Sequence, residues 1–210
     1  MQRPPPLEMP PLVVIVDDDA AVRASLDSLL RSVGMQTRLH ATPGELATSP
    51  LPDVPGCIVL DVRLQGVSGL DVQSQLAAQG VALPVVFMTG HGDIPMTVKA
   101  MKAGAVDFLA KPFRDQDMLD AVAAAIHRDR QRRLADGALD GVRAHYATLT
   151  AREREVMSLV VSGLMNKQVA AELQLSEITV KIHRGNVMRK MGVRSLAELV
   201  RQAEALGIGH

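Results

Sequence analysis

Cys57-Ile58-Val59-Leu60-Asp61-Val62-Arg63-Leu64-Gln65-Gly66-Val67-Ser68-Gly69 is the stretch that decides the fold. Its first four residues are apolar and end in a carboxylate, with Pro55-Gly56 before them and glycines after. An apolar run of this length between turn residues predicts a buried strand. In open parallel sheets, ligands and chemistry collect at the C-terminal ends of the strands. Asp61 stands at such an end. Taken alone it also reads as a carboxylate capping the following turn.

Working outward, Leu12-Val13-Val14-Ile15-Val16 is a β-branched run that ends at Asp17-Asp18-Asp19, a first strand. Val22, Leu26, Leu29, Leu30 and Val33 then recur at helical spacing, and Gly34 closes the helix. Residues 35–39 form a second strand, and a weak helix leads to Pro50-Leu51-Pro52. The Asp61 strand is third. Residues 69–79 read as a helix, 84–88 as a strand ending at Thr89-Gly90, 95–103 as a helix, and 106–110 as a strand ending at Lys111-Pro112. A last helix starts near Asp115 with Met118, Leu119, Val122 and Ile126 inward. This alternation predicts an α/β domain over 12–127: a doubly wound, flavodoxin-like, five-stranded parallel sheet in the order 2-1-3-4-5.

After Leu149 no strand pattern remains. Thr150-Ala151-Arg152-Glu153 is a capping box that opens a helix to about Ser162. Asn166 is placed to cap a second helix through Leu173. Ser176 caps a third to Met191, closed by Gly192, and Ser195 caps a fourth through Leu206. Residues 147–210 thus read as an all-α four-helix bundle. Between the two domains, 128–146 is crowded with arginines and interrupted by Gly137 and Gly141, and reads as a helical, charged linker. Residues 1–11 are proline-rich and read as a disordered tail.

The 210 residues carry no net charge, but unevenly. Residues 1–125 hold 9 basic and 14 acidic side chains, whereas 147–210 hold 9 and 6. An acidic front and a mildly basic back suggest two modules with different partners. The lone Cys57 excludes an internal disulfide and fits a reducing, cytoplasmic setting. No apolar stretch reaches the roughly 18 residues of a membrane span, so no membrane partner is expected.

The predicted strand ends deliver Asp17 and Asp18, Asp61, Thr89, and Lys111, and in the order 2-1-3-4-5 they converge. Clustered carboxylates repel unless a cation lies among them. Carboxylates with room for waters suit Mg²⁺. A lysine and a hydroxyl beside them are what a transferred phosphoryl group needs, and the central Asp61 is best placed to attack. Individually these residues have plainer readings: a helix cap for Asp17–Asp19, a turn contact for Thr89, a surface charge for Lys111.

The segments Val16-Asp17-Asp18-Asp19, Leu60-Asp61-Val62-Arg63-Leu64, Met88-Thr89-Gly90 and Lys111-Pro112-Phe113 closely resemble the receiver domains of two-component response regulators. The resemblance implies that Asp61 is the phosphoacceptor and that Asp17 and Asp18 are the metal-binding pair. It further implies that Arg63 adds a backbone carbonyl to Mg²⁺, that Thr89 senses the phosphoryl group, that Lys111 pairs with it, and that Phe108 is the switch aromatic. The sequence departs from the family at Leu64-Gln65, where Met-Pro is usual, which should loosen the loop without removing a chemical group.

With residues 176–191 as a helix, Val180, Val187 and Met191 fall on one side, and Lys181, Ile182, Gly185 and Arg189 nearly opposite. A small, basic, lightly apolar face suits a DNA major groove; it also reads as a solvated basic face. Leu149-Thr150-Ala151-Arg152-Glu153-Arg154-Glu155-Val156, Gly163-Leu164-Met165-Asn166-Lys167-Gln168-Val169-Ala170 and Ser176-Glu177-Ile178-Thr179-Val180-Lys181-Ile182-His183-Arg184 resemble LuxR-type helix-turn-helix domains of the FixJ-like branch. That resemblance places base contacts at Lys181 and Ile182, and phosphate contacts at Lys167, Thr179, Arg184 and Arg189. Together the two resemblances imply a phosphorylation-activated transcription regulator, not an enzyme. The partners they imply are a sensor histidine kinase, double-stranded DNA promoter sites, RNA polymerase and, on phosphorylation, a second copy as a homodimer. The alternatives are an atypical regulator that acts without phosphorylation and an aspartate-nucleophile phosphohydrolase, against which Arg63 stands where such enzymes supply an acid.

Overall fold

A computed structural model describes residues 9–64, 66–90 and 94–208. Most of the expected tail (residues 1–8) and Gln65 lie outside the described residues. The chain divides into two compact units, residues 1–133 and 134–210.

In the first unit the strands are β1 (Leu12–Val16), β2 (Gln36–His40), β3 (Gly56–Asp61), β6 (Val85–Thr89) and β7 (Asp107–Ala110). They form one sheet in the order β2-β1-β3-β6-β7, parallel throughout. Counting only these five, the order is the expected 2-1-3-4-5. The remaining strands, β4 (Arg63–Leu64) and β5 (Val67–Ser68), make a short antiparallel hairpin just after Asp61. The sequence did not announce this hairpin. It buries Leu64, within the departure from the family pattern.

Side chains alternate across a strand, and the apolar runs fill two cores accordingly. Leu12, Val14, Val16, Ile58, Leu60 and Phe87 face α2 (Pro43–Thr48), α3 (Gly69–Ala78) and α4 (Ile94–Lys102). Val13, Ile15, Cys57, Val59, Val86 and Met88 face α1 (Ala20–Ser32) and the first part of α5 (Asp115–Ala147). The central strands therefore have no polar face. Their residues are apolar in sequence because both sides are covered. Burial, with the nearby Asp129 adding, pushes the Cys57 thiol up to about 12, so it packs as a hydrophobe.

Residues 128–146, read as a helical linker, continue α5 through Gly137 and Gly141. Each glycine costs the helix about 1 kcal/mol relative to alanine, and the surrounding alanines, leucines and arginines are good helix formers. Asp129, expected among linker charges, is fully buried in the first unit. Its carboxylate accepts from the Gly56 amide at 3.0 Å, from Arg132 at 2.7 Å and from Arg133 at 2.7 Å, and Arg133 also reaches Asp53. Burial raises the Asp129 carboxyl, but these donors outweigh it and hold the group below the usual range.

The second unit contains the end of α5 with α6 (Ala151–Val161), α7 (Asn166–Leu173), α8 (Glu177–Lys190) and α9 (Leu196–Ala205). Val156, Met157, Val160, Val169, Val180, Val187, Met191 and Leu199 make its core, against which Val142 and Tyr146 pack. Thr150, Ser176 and Ser195 cap as expected, each accepting from an amide three residues on. Asn166 does not cap α7. It is the first helical residue, Met165 holds the cap position, and the Gln168 side chain accepts from the Met165 amide at 2.8 Å. The turn between α7 and α8 passes through Gln174 in the left-handed region (φ 54°). Glu153 completes the α6 capping box and also accepts from Lys190 at 2.6 Å. The Lys190 ammonium, ahead of the Thr150 backbone, holds the Glu153 carboxyl below its usual range.

Tyr146 is the single tyrosine of a chain without tryptophan, so its emission reports the second unit, while far-UV circular dichroism reports both. Asp129→Ala leaves the Gly56 amide and two arginines without their shared acceptor. It should lower the urea stability of the first unit by about 2–4 kcal/mol, seen by circular dichroism and not by Tyr146 emission. The depressed Glu153 pKa implies stability that is present above the unfolded value of about 4.3 and lost as pH falls through the lower folded value. Glu153→Gln should therefore destabilise the second unit at pH 7 by about 1–3 kcal/mol, and the deficit should shrink below pH 4 in Tyr146-monitored unfolding.

Candidate functional site

The sheet register sets the heights of the strand-end groups. Val16 pairs with Leu60, so Asp17 and Asp61 end their strands at one level. Asp61 pairs with Met88 and Thr89 with Ala110, so Thr89 and then Lys111 stand successively farther out. The lysine reaches back. Its Nζ donates to Asp17 Oδ2 at 2.7 Å and to Asp61 Oδ2 at 2.8 Å. The other oxygens are also occupied: Asp17 Oδ1 accepts from the Asp19 amide at 2.8 Å, and Asp61 Oδ1 from the Arg63 amide at 3.0 Å. Arg23, which sequence reasoning missed, donates to the Asp17 backbone carbonyl at 2.6 Å.

Asp18 is exposed at the rim, and ligand oxygens of Asp17, Asp18 and Asp61 lie within 4.8 Å of one another. Three carboxylates against one ammonium leave a formal excess of two negative charges, which a divalent oxygen-seeking cation would balance. Burial raises the Asp17 carboxyl above the ordinary aspartate range, against the pull of Lys111. Burial also opposes the Lys111 charge, but its bonds to Asp17 and Asp61 outweigh that and hold the ammonium above its ordinary value.

Helix α3 starts directly beside this cluster. A Cβ on Gly69 would come within 2.4 Å of the Asp61 carbonyl oxygen, so only glycine lets the helix begin there. Thr89 is fully buried at the end of β6, and its carbonyl accepts from the Lys111 amide at 2.7 Å. Phe108 is half-buried on β7, with its ring tilted 47° to Phe87 and the centroids 6.4 Å apart. Asp17, Asp18, Asp61 and Lys111 are thus brought together, with Thr89 beside them and Phe108 one layer below.

The second unit presents a different surface. Along α8, Lys181 and Ile182 are exposed, Gly185 has open space around it, and Arg189 bonds Asn186 at 3.0 Å. Among the described residues Lys167 and Lys181 have no salt-bridge partner. Arg184 is half-buried and donates to Asn166 at 3.0 Å, tying α8 to the start of α7. The Thr179 hydroxyl shares a 2.8 Å bond with Ser176 in the cap. Ile178, 74% exposed, lies one turn before Ile182 and seven residues before Gly185. At about 100° per residue Ile178 falls on the same line of the helix as Ile182, Gly185 and Arg189.

The family model "Response regulator receiver domain" matches residues 13–123, and "Bacterial regulatory proteins, luxR family" matches 147–203. The chain belongs to the response regulators. Nodulation protein W of Bradyrhizobium diazoefficiens is 57% identical over 197 residues, covering 94% of this chain and 87% of that one. The transcriptional regulatory protein FixJ of the same organism is 40% identical over 197 residues, covering 93% and 96%. The structure of the response regulator StyR superposes with a TM-score of 0.81 at 46% identity, covering 93% and 99%.

This response regulator therefore joins a receiver domain to a LuxR-type DNA-binding domain, in a family of two-component transcription regulators rather than enzymes. The receiver implies a histidine kinase as partner, and receiver domains bind Mg²⁺ through acidic residues. Among the described residues no helix is long and apolar enough to cross a membrane.

Gly185 gives a direct test of the outer face of α8. Among the described residues nothing beyond the adjoining backbone of α8 lies within 4 Å of a Cβ placed there. Gly185→Ala should therefore stabilise the second unit by about 0.5–1 kcal/mol, measured through Tyr146. A glycine that serves only the chain would leave DNA affinity unchanged on substitution; one that admits a ligand would lower it.

Proposed function

We propose that Asp61 is the phosphoacceptor of this response regulator and that its phosphorylation controls DNA binding by residues 147–210. The observation that carries the reading is Lys111, one ammonium shared by Asp17 and Asp61. Asp17 is closed to solvent, whereas Asp61 keeps 10% of its side chain open. Of the two carboxylates bonded to Lys111, Asp61 is thus the one a phosphodonor can reach. An Asp61 oxygen attacks the phosphorus of the kinase's phosphohistidine; the P–O bond forms as the P–N bond breaks.

The carboxylates of Asp17, Asp18 and Asp61, with the Arg63 backbone carbonyl, would hold Mg²⁺. Bound there, Mg²⁺ supplies positive charge to the phosphoryl oxygens. Lys111 gives up its bond to Asp61 for one to the phosphoryl group and keeps Asp17. The Thr89 hydroxyl donates to the same group, and its movement opens space for the Phe108 ring. The surface of residues 95–109 changes as a result and favours a homodimer, release of the DNA-binding domain, or both. Lys181 and Ile182 read bases, while Lys167, Thr179, Arg184 and Arg189 meet phosphates around the opening at Gly185. Two such helices engage promoter half-sites in the cytoplasm, where the bound dimer meets RNA polymerase.

Wild-type protein given a small phosphodonor and Mg²⁺ should take up one phosphoryl group, and Asp61→Asn none, by intact mass spectrometry. Uptake by Asp61→Asn at the wild-type level sinks the assignment. Mg²⁺ alone should raise the melting temperature of the wild-type receiver, and Asp17→Asn together with Asp18→Asn should abolish that rise.

A further inference from the structure

We propose that α8 reads thymine 5-methyl groups, with Ile178 and Ile182 as the reading side chains. The inference deepens the DNA-binding reading above and rests on it. Ile178 is 74% exposed, the most exposed large apolar side chain among the described residues, and Ile182 is 60% exposed. Single exposed apolar residues are ordinary. These two lie on one face, because residues four apart are neighbours on a helix, and Gly185 and Arg189 continue the same line.

Local structure does not call for either isoleucine. A β-branched side chain is a poorer helix former than alanine, and neither residue belongs to the core of the second unit. The buried side of α8 is carried instead by Val180 and Val187. The exposed line is thus apolar on the side away from the core, where a monomer in water gains nothing from it.

The chemistry of the line narrows its ligand. A recognition helix contacts base edges with its N-terminal residues, and Ile178 is the second residue of α8. Ile178, Ile182 and Gly185 have no side-chain donor or acceptor, so they cannot read the hydrogen-bonding edge of any base pair. The apolar group offered by the major groove is the thymine C5-methyl, and it belongs only to A·T pairs. Gly185 adds no Cβ into open space, which lets the helix come close enough for methyl contact. Ile178 and Ile182 are separated by about 6 Å along the helix, against about 3.4 Å per base along a strand. The two methyls therefore belong to thymines one or two steps apart, while Lys181 beside them supplies the charged contact.

The test uses full-length protein, treated with a small phosphodonor and Mg²⁺, and a duplex enriched by that protein from a random library. Each thymine of the half-site is replaced singly by deoxyuridine, which removes the methyl and leaves every hydrogen-bonding group. At one or two positions affinity should fall about three- to fivefold, the worth of one buried methyl. Ile178→Ala and Ile182→Ala should each lose that sensitivity at one position. Both variants should keep the wild-type salt dependence, since no phosphate contact is removed, and both should stay folded, since alanine favours the helix. Deoxyuridine silent at every position in the wild type overturns the proposal, as does sensitivity unchanged in both variants. Failure to enrich any duplex would instead overturn DNA reading by α8, and this proposal with it.

Discussion

Two carboxylates at the ends of adjacent strands cannot sit at one level without a shared cation, and the first unit is built around meeting that condition. Parallel pairing of β1 with β3 puts Asp17 and Asp61 side by side, where like charges oppose each other. The countercharge comes from beyond β6, on the far side of Thr89. Lys111, at the end of the outermost strand on that side, reaches both. The sheet order is therefore more than a packing arrangement. It decides that the ammonium arrives over the end of β6 and passes the Thr89 backbone on its way.

The second unit meets a related condition with different parts. Glu153 is buried, and its partners are the N-cap residue of its own helix and the last residue of α8. One carboxylate thereby fixes where α6 begins and where α8 ends. The N-terminal end of α8 is set separately, by the Ser176 cap and by Arg184 on Asn166. The helix proposed to face DNA is held at both ends by polar contacts, and its apolar underside by Val180 and Val187.

Much of this was legible because periodicity and punctuation report local choices. The β-branched run at 12–16 and the Cys57–Leu60 run marked strands covered on both faces, and Thr150, Ser176 and Ser195 marked helix starts by residue type. What escaped depended on partners distant in sequence or on sums over many residues. Asp129 looked like one charge among several; its acceptor role needs the amide of Gly56, 73 residues earlier. The persistence of α5 through Gly137 and Gly141 follows from summed propensity outweighing two local breakers. Met165 at the cap of α7 could not be read because the capping oxygen comes from Gln168, not from the cap residue.

Gly185 has a consequence beyond binding. Among the described residues a Cβ there would meet no neighbour beyond the adjoining backbone of its own helix. The bundle side of α8 is set by Val180 and Val187, and position 185 lies away from it. Helix propensity favours alanine over glycine at this position, so a change from glycine to alanine would not lose the fold, and the proposed contact with DNA would be what such a change alters.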